Sequence, residues 1–207
     1  MPIPHRERSL LLFGDEKRLD RLIRSRLFVP GHLSLDLLDA YWAGPPLAFA
    51  DTGGTGPVVV SENAASWHTL VKVLRGQARA VAYGAGGAFA QSVAWLASIG
   101  DLHTVLYIGD LDPEGVAIPQ RAATAAELAG VPTPQPHVPL WRSLVDLAVV
   151  HGQRAAPVPT EVASELCSWF ASDEELAKDV QRLLEEGVRV PQEAVSAPVL
   201  DQLGSLS

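Results

Sequence analysis

Thr104-Val105-Leu106-Tyr107-Ile108-Gly109-Asp110-Leu111-Asp112-Pro113-Glu114-Gly115 runs from an apolar, β-branched stretch straight into carboxylates and glycines. Residues 104–108 read as a strand, and Asp112 followed by Pro113 reads as a helix N-cap with proline at the first helical position. Upstream, Pro57-Val58-Val59-Val60-Ser61 is a continuous apolar run typical of a strand covered on both faces. A helix is predicted over 65–74, a second strand over 78–83 closed by Gly84-Ala85-Gly86-Gly87, and a second helix over 88–99. Beyond the quoted stretch, a helix is predicted over 117–128, with Pro119 in its first turn, and a short edge strand over 137–140. Strand and helix alternating in this way imply right-handed crossovers and a parallel sheet.

Outside that core, the periodicity predicts a helix over 16–26 with Asp15 as its N-cap, and a short helix over 35–41 opened by Ser34. The region from 141 to 203 reads as mostly helical. In it, 163–184 looks like a pair of packing helices, with Ser172-Asp173-Glu174-Glu175 as a helix start. Three segments are expected: a helical junction over 1–56, the α/β domain over 57–150 and a helical extension over 151–207.

The chain has 207 residues, 47% of them apolar and 19% charged, enough to bury a substantial core and unlike a disordered or fibrous chain. Sixteen basic against 24 acidic residues give a net charge of −8, which argues against a broad, non-specific nucleic-acid footprint. The charge is uneven: residues 1–28 carry seven Lys/Arg against four Asp/Glu, and 161–193 carry nine acids against three bases. A lone Cys167 rules out a disulfide framework and a cysteine zinc site. With neither an apolar signal segment nor a membrane-length run, a cytoplasmic protein is expected.

Ligands of parallel sheets bind at the carboxyl ends of the strands. There the first strand offers Glu62-Asn63 and the third offers Asp110 and Asp112, whose side chains, two apart on extended backbone, can point the same way. Three like charges so placed repel unless a cation joins them. Hard oxygen ligands around an open position suit Mg²⁺, with Mn²⁺ an alternative, and such an ion supports phosphoryl-transfer chemistry. An isolated Asp-x-Asp also arises as a helix-capping loop; the pairing with Glu62 is what favours a site.

Val59-Val60-Ser61-Glu62-Asn63, a glycine loop after the next strand, and Gly109-Asp110-Leu111-Asp112-Pro113-Glu114-Gly115 together resemble a Toprim domain, a Rossmann-like parallel sheet flanked by helices. With Leu12-Phe13-Gly14-Asp15-Glu16-Lys17-Arg18-Leu19-Asp20 and the late Val190-Pro191-Gln192-Glu193, the chain most resembles the JetD family, nuclease subunits of Wadjet plasmid-defence systems related to the A subunit of topoisomerase VI. The resemblance implies metal-dependent cleavage of double-stranded plasmid DNA, with SMC-like Wadjet subunits as partners. It implies that Glu62, Asp110 and Asp112 are both metal ligands and catalytic residues, with Glu62 doubling as general acid/base. Asn63, Gly86, Gly87 and Glu114 would flank the site. The family carries a DNA-binding region ahead of the Phe-Gly-Asp-Glu-Lys stretch, so cleavage is expected to depend on such a region or on partners. A homodimer is the economical way to cut both strands.

Tyr83 and Tyr107 fall in or beside core strands, which favours hydrolysis by water over a tyrosyl intermediate. The six histidines show no metal spacing. The five tryptophans read as core or interface residues, and Cys167 as a small buried hydrophobe. Two other readings remain open from the residues. One is a different Mg²⁺-dependent phosphoryl-transfer enzyme, such as a haloacid-dehalogenase-like phosphatase with Asp110 as nucleophile. That family places its Asp-x-Asp after the first strand, and here it follows the third. The other is a non-catalytic interaction module.

Overall fold

Every residue of Val58–Ser61 is shielded from solvent, so this run must lie inside a sheet rather than at its edge. The computed structural model describes residues 1–203 and divides the chain into two compact units, Met1–Pro45 and a second beginning at Pro46.

In the first unit, β1 (Ile3–Pro4) leads into α1 (His5–Phe13), followed by α2 (Arg18–Leu22), and β2 (Ala40–Tyr41) pairs parallel with β1. The predicted helix over 16–26 is shortened to α2. Asp15 does not cap it through an N-cap position; its carboxylate accepts from Lys17 N and pairs with Arg21, holding a turn ahead of the helix. Residues 35–41, expected to be helical, form one 3₁₀ turn over Asp36–Leu38 and then β2, because Asp39 adopts a left-handed conformation that ends the turn. Buried His5 stacks on Trp42 and hydrogen-bonds Asp20.

The second unit is built on a sheet of β3 (Ala48–Asp51), β4 (Val58–Ser61), β5 (Ala80–Tyr83), β6 (Val105–Ile108) and β7 (Gln135–Pro136), in the order β3-β5-β4-β6-β7. All pairs are parallel except β3 with β5. Helices α3 (Ala64–Val73), α4 (Phe89–Ser92) and α5 (Pro113–Leu128) follow β4, β5 and β6. The chain moves from β4 to β5 on one side and then crosses to β6 on the other. The carboxyl ends of β4 and β6 therefore lie at a topological switch point, the usual ligand crevice of such sheets.

Several expectations shift. The helix over 88–99 is a single α-turn continued as 3₁₀ helix over Val93–Ile99. The helix placed over 117–128 starts at Pro113, capped by Asp112, so Pro119 lies inside it. The edge strand expected at 137–140 lies two residues earlier. His137 N still donates to Tyr107 O, but the chain then enters α6 (Val138–His151), whose first turn accommodates Pro139 because that turn needs no N–H there. Edge strand β3 was not read from the sequence; it is four residues long, with Ala48, Phe49 and Asp51 exposed.

The last quarter of the sequence forms β8 (Gln153–Arg154), α7 (Thr160–Cys167), α8 (Glu174–Glu185), β9 (Val188–Arg189) and α9 (Ala197–Leu203), with β8 and β9 antiparallel. The expected helix pair is present, and Asp173 caps α8. Tyr107, Trp141, Trp169 and Phe170 pack edge-on in one cluster, where Trp141 Nε1 donates to Tyr107 O and Trp169 Nε1 to Pro134 O. Trp95, by contrast, is exposed. Cys167 is buried as expected, and burial pushes its thiol up to about 12. No helix among the described residues is long and apolar enough to cross a membrane.

His137 is fully buried with neither ring nitrogen hydrogen-bonded, and burial lowers its pKa to about 4. The unfolded chain thus binds a proton that the folded chain refuses between pH 6.5 and 4, so this residue costs stability as pH falls through that window. The expected result is that His137→Phe gains on the wild type by up to about 3 kcal/mol between pH 7 and pH 4. Urea unfolding at both pH values measures it, and a pH-independent difference contradicts it.

Candidate metal and phosphate site

Ser61 pairs with Ile108 in the register of β4 and β6, and Glu62 N donates to Ile108 O at 3.0 Å. The ladder thereby sets Glu62 beside the start of the Asp110–Asp112 loop. Glu62 Oε2 accepts from Asp110 N at 3.2 Å and from the Tyr107 hydroxyl at 3.3 Å. Gly109 is required for this approach, since a Cβ there would overlap Glu62 Oε2. Gly115 serves the same end on α5: a Cβ would overlap the Asp110 carbonyl, so only glycine lets the helix N-terminus close against the loop.

Asp110 is held from three directions. Its Oδ1 accepts from Asn63 Nδ2 and from Gln192 N, each at 2.9 Å, and its Oδ2 pairs with Arg189 Nη2. Asp112 Oδ1 accepts from Gly115 N at 2.8 Å, and its Oδ2 lies 3.1 Å from Arg189 Nε, an ion pair without hydrogen-bond geometry. Each aspartate therefore has one oxygen committed to the scaffold and one turned to a shared cation, the Arg189 guanidinium. Burial, reinforced by the nearby charges of Asp110 and Asp112, raises Glu62 to about 7, although the Asp110 N–H and the Tyr107 hydroxyl oppose the shift. Burial and Glu62 raise Tyr107 well above the usual phenol range.

Of the residues expected around the site, Asn63 touches it directly, through Asp110. Gly87 stands near Glu114, whose Oε1 lies 3.8 Å from where a Gly87 Cβ would be, and Gly86 has the positive φ of a tight turn. Glu114 pairs with Arg121, which lowers its pKa.

Arg189 and Gln192 were missed as site residues. The sequence signal nearest them is Val190-Pro191-Gln192-Glu193, which follows Arg189 directly and contains Gln192. The structure folds it onto the loop: Leu111 N donates to Val190 O at 2.8 Å and Val190 N to Leu111 O at 3.1 Å. Buried Gln192 then ties the two strand ends together: its side chain accepts from Asn63 N and donates to Ser61 Oγ at the end of β4, and its N donates to Asp110 Oδ1 beyond β6.

A family model described as Wadjet protein JetD, C-terminal, matches residues 19–202. The chain belongs to the JetD C-terminal family. The matched span takes in all three carboxylates and the Arg189–Gln192 segment that completes their surroundings, and it assigns the chain to a component of the Wadjet defence system. No curated protein matches the chain.

The donor set suits a hard divalent ion, because it is all carboxylate oxygen at a sheet edge. Among the described residues no three acidic or histidine side chains are gathered tightly enough to enclose one as they stand, and the cation joining Asp110 and Asp112 is Arg189. Two of the three carboxylates turn an oxygen to one positive charge.

Because Glu62 is raised from 4.5 to about 7, the folded chain holds a proton that the unfolded chain releases between those values. Stability from this residue therefore declines as pH rises from about 4.5 to 7. In metal-free buffer, Glu62→Gln is expected to gain on the wild type by up to about 3 kcal/mol across that interval and to hold a constant lead above it. Chemical unfolding in EDTA at several pH values reads the difference, and parallel curves for the two proteins would refute it.

Proposed function

We propose that this JetD-family chain is a metal-dependent DNA endonuclease, with a Toprim-like site at the switch point between β4 and β6. The observation that carries the reading is the division of labour at Asp110 and Asp112, in which one oxygen of each is fixed by the scaffold and the other faces a common cation. Sheet order supports the Toprim-like reading, because the acidic strand ends belong to adjacent strands reached by a crossover.

Bound Mg²⁺ or Mn²⁺ would polarise a phosphodiester and stabilise the leaving oxygen. Glu62, Asp110 and Asp112 would hold the ion. Asn63 and Gln192 keep Asp110 from rotating, and Gly115 N fixes Asp112, so the ligand oxygens are set before substrate arrives. Glu62, with a proton affinity close to neutrality, takes a proton from the attacking water or returns one to the leaving oxygen. The glycine loop at Gly86 and Gly87 leaves room for backbone phosphate. Tyr107 is fully buried with its hydroxyl bound to Glu62, which favours water over tyrosine as nucleophile. Asp110 follows β6 rather than the first strand of the sheet, which gives no support to an aspartyl-phosphate route.

The substrate in this reading is double-stranded plasmid DNA, presented in the cytoplasm by SMC-like Wadjet subunits, and two copies of the chain each cut one strand. The acidic net charge fits a nuclease that relies on those partners for DNA delivery.

The test is cleavage of supercoiled plasmid in Mg²⁺ or Mn²⁺, by the chain alone and with its Wadjet partners. Cutting is expected from the wild type, and Glu62→Ala and Asp110→Asn should each lose at least about 100-fold in rate. Undiminished cutting by Glu62→Ala would overturn the reading.

A further inference from the structure

Among the described residues Arg189 is the one cation that touches both aspartates, and the way it is mounted distinguishes it from an ordinary surface ion pair. Its backbone is held by the pairing of Arg189 with Gln153 between β9 and β8 and by the residues that follow it. Val190 exchanges two hydrogen bonds with Leu111, both residues being fully buried, and Gln192 N is bonded to Asp110 Oδ1. Its side chain, by contrast, is 41% exposed, against 9% for Asp110 and 21% for Asp112. A fixed base thus carries a long arm that reaches inward to two shielded carboxylates and has open space to swing into.

The second observation is which oxygens the arm occupies. Asp110 Oδ1 is filled by Asn63 and Gln192, and Asp112 Oδ1 by Gly115 N. The oxygens left for any further cation are Asp110 Oδ2 and Asp112 Oδ2, and these are the two that Arg189 engages. A guanidinium and a hard divalent ion cannot both coordinate the same pair, because each needs the inward lone pairs and they repel one another.

We propose that Arg189 is a resident counter-cation of the Asp110–Asp112 pair and that a divalent ion binds there only by displacing it. The inference rests on the metal-site reading above and adds a residue to it. In the metal-free chain Arg189 neutralises two carboxylates that would otherwise repel, and so keeps the loop in its binding conformation. The same contact lowers the apparent metal affinity, because part of the binding energy goes to breaking the ion pair. Metal loading releases a guanidinium at the rim of the site.

The experiment is direct Mn²⁺ binding, without DNA, to wild type, Arg189→Gln, Arg189→Lys and Asp110→Asn, by titration calorimetry and by the resonance of free Mn²⁺. Arg189→Gln keeps the stem and the backbone clamp and removes the charge. It is expected to bind Mn²⁺ about tenfold more tightly than wild type, the scale set by losing a charge-assisted pair. Arg189→Lys, whose single ammonium does not span both carboxylates as a fork does, is expected to fall between the two. Should Arg189→Gln prove unfolded by circular dichroism, Arg189→Lys carries the test with the same sign. Equal or weaker Mn²⁺ binding by the folded Arg189 variants, with the wild type binding, would overturn the role of Arg189 and leave the metal site standing. Mn²⁺ binding by none of the proteins, or equally by Asp110→Asn, would overturn the metal-site reading and this proposal with it.

Discussion

Repulsion among three carboxylates at one sheet edge is the constraint to which the surrounding structure answers. Left alone, Glu62, Asp110 and Asp112 would splay into solvent. Each polar contact nearby opposes that: the Asp110 N–H and the Tyr107 phenol at Glu62, the Asn63 amide and the Gln192 N–H at Asp110, a helix N-terminus under Asp112, and the guanidinium of Arg189 in β9. The glycines belong to the same response, because Gly109 and Gly115 let backbone come close enough for short bonds to form. The residual cost appears at Glu62, which holds its proton to near neutrality.

This arrangement separates two tasks within one side chain. In Asp110 and Asp112 the inner oxygen is structural and the outer oxygen faces a cation, so orientation does not depend on whatever binds. Such preorganisation is what a phosphodiester site requires, since its contribution is mostly placement and charge. A family match across 19–202 includes every residue that takes part, and the C-terminal segment is therefore as much a part of the site as the strands.

The central α/β pattern was legible because β4 and β6 are unbroken apolar runs and their carboxylates follow at once; nothing else in the chain competes for that reading. The capping role of Asp112 was equally plain from Asp-Pro. Less legible were elements whose formation depends on distant partners. Strand β3 exists because β5 offers it an edge, not because Ala48–Asp51 has a strand pattern of its own. The shift of the 137–140 strand into α6 followed from the proline falling in a first turn, where it suits a helix as well as an edge. Arg189 and Gln192 lie 79 and 82 residues beyond Asp110, and local pattern has no means of joining them. What would have found them is charge: three acids brought together call for a cation, and Arg189 is one of only three basic residues in the acidic stretch 161–193.

That separation along the chain has a consequence for biosynthesis. A ribosome finishes the acidic strand ends well before it reaches the residues that bind them. At ~5–20 residues per second, the 79 residues from Asp110 to Arg189 take roughly 4 to 16 seconds to emerge. Throughout that interval the sheet can form while its carboxylate edge stays unclamped. A chain cut short before β9 would keep all three acids and lack the frame that orders them, so this arrangement is complete only once β9 and the residues that follow it have been made.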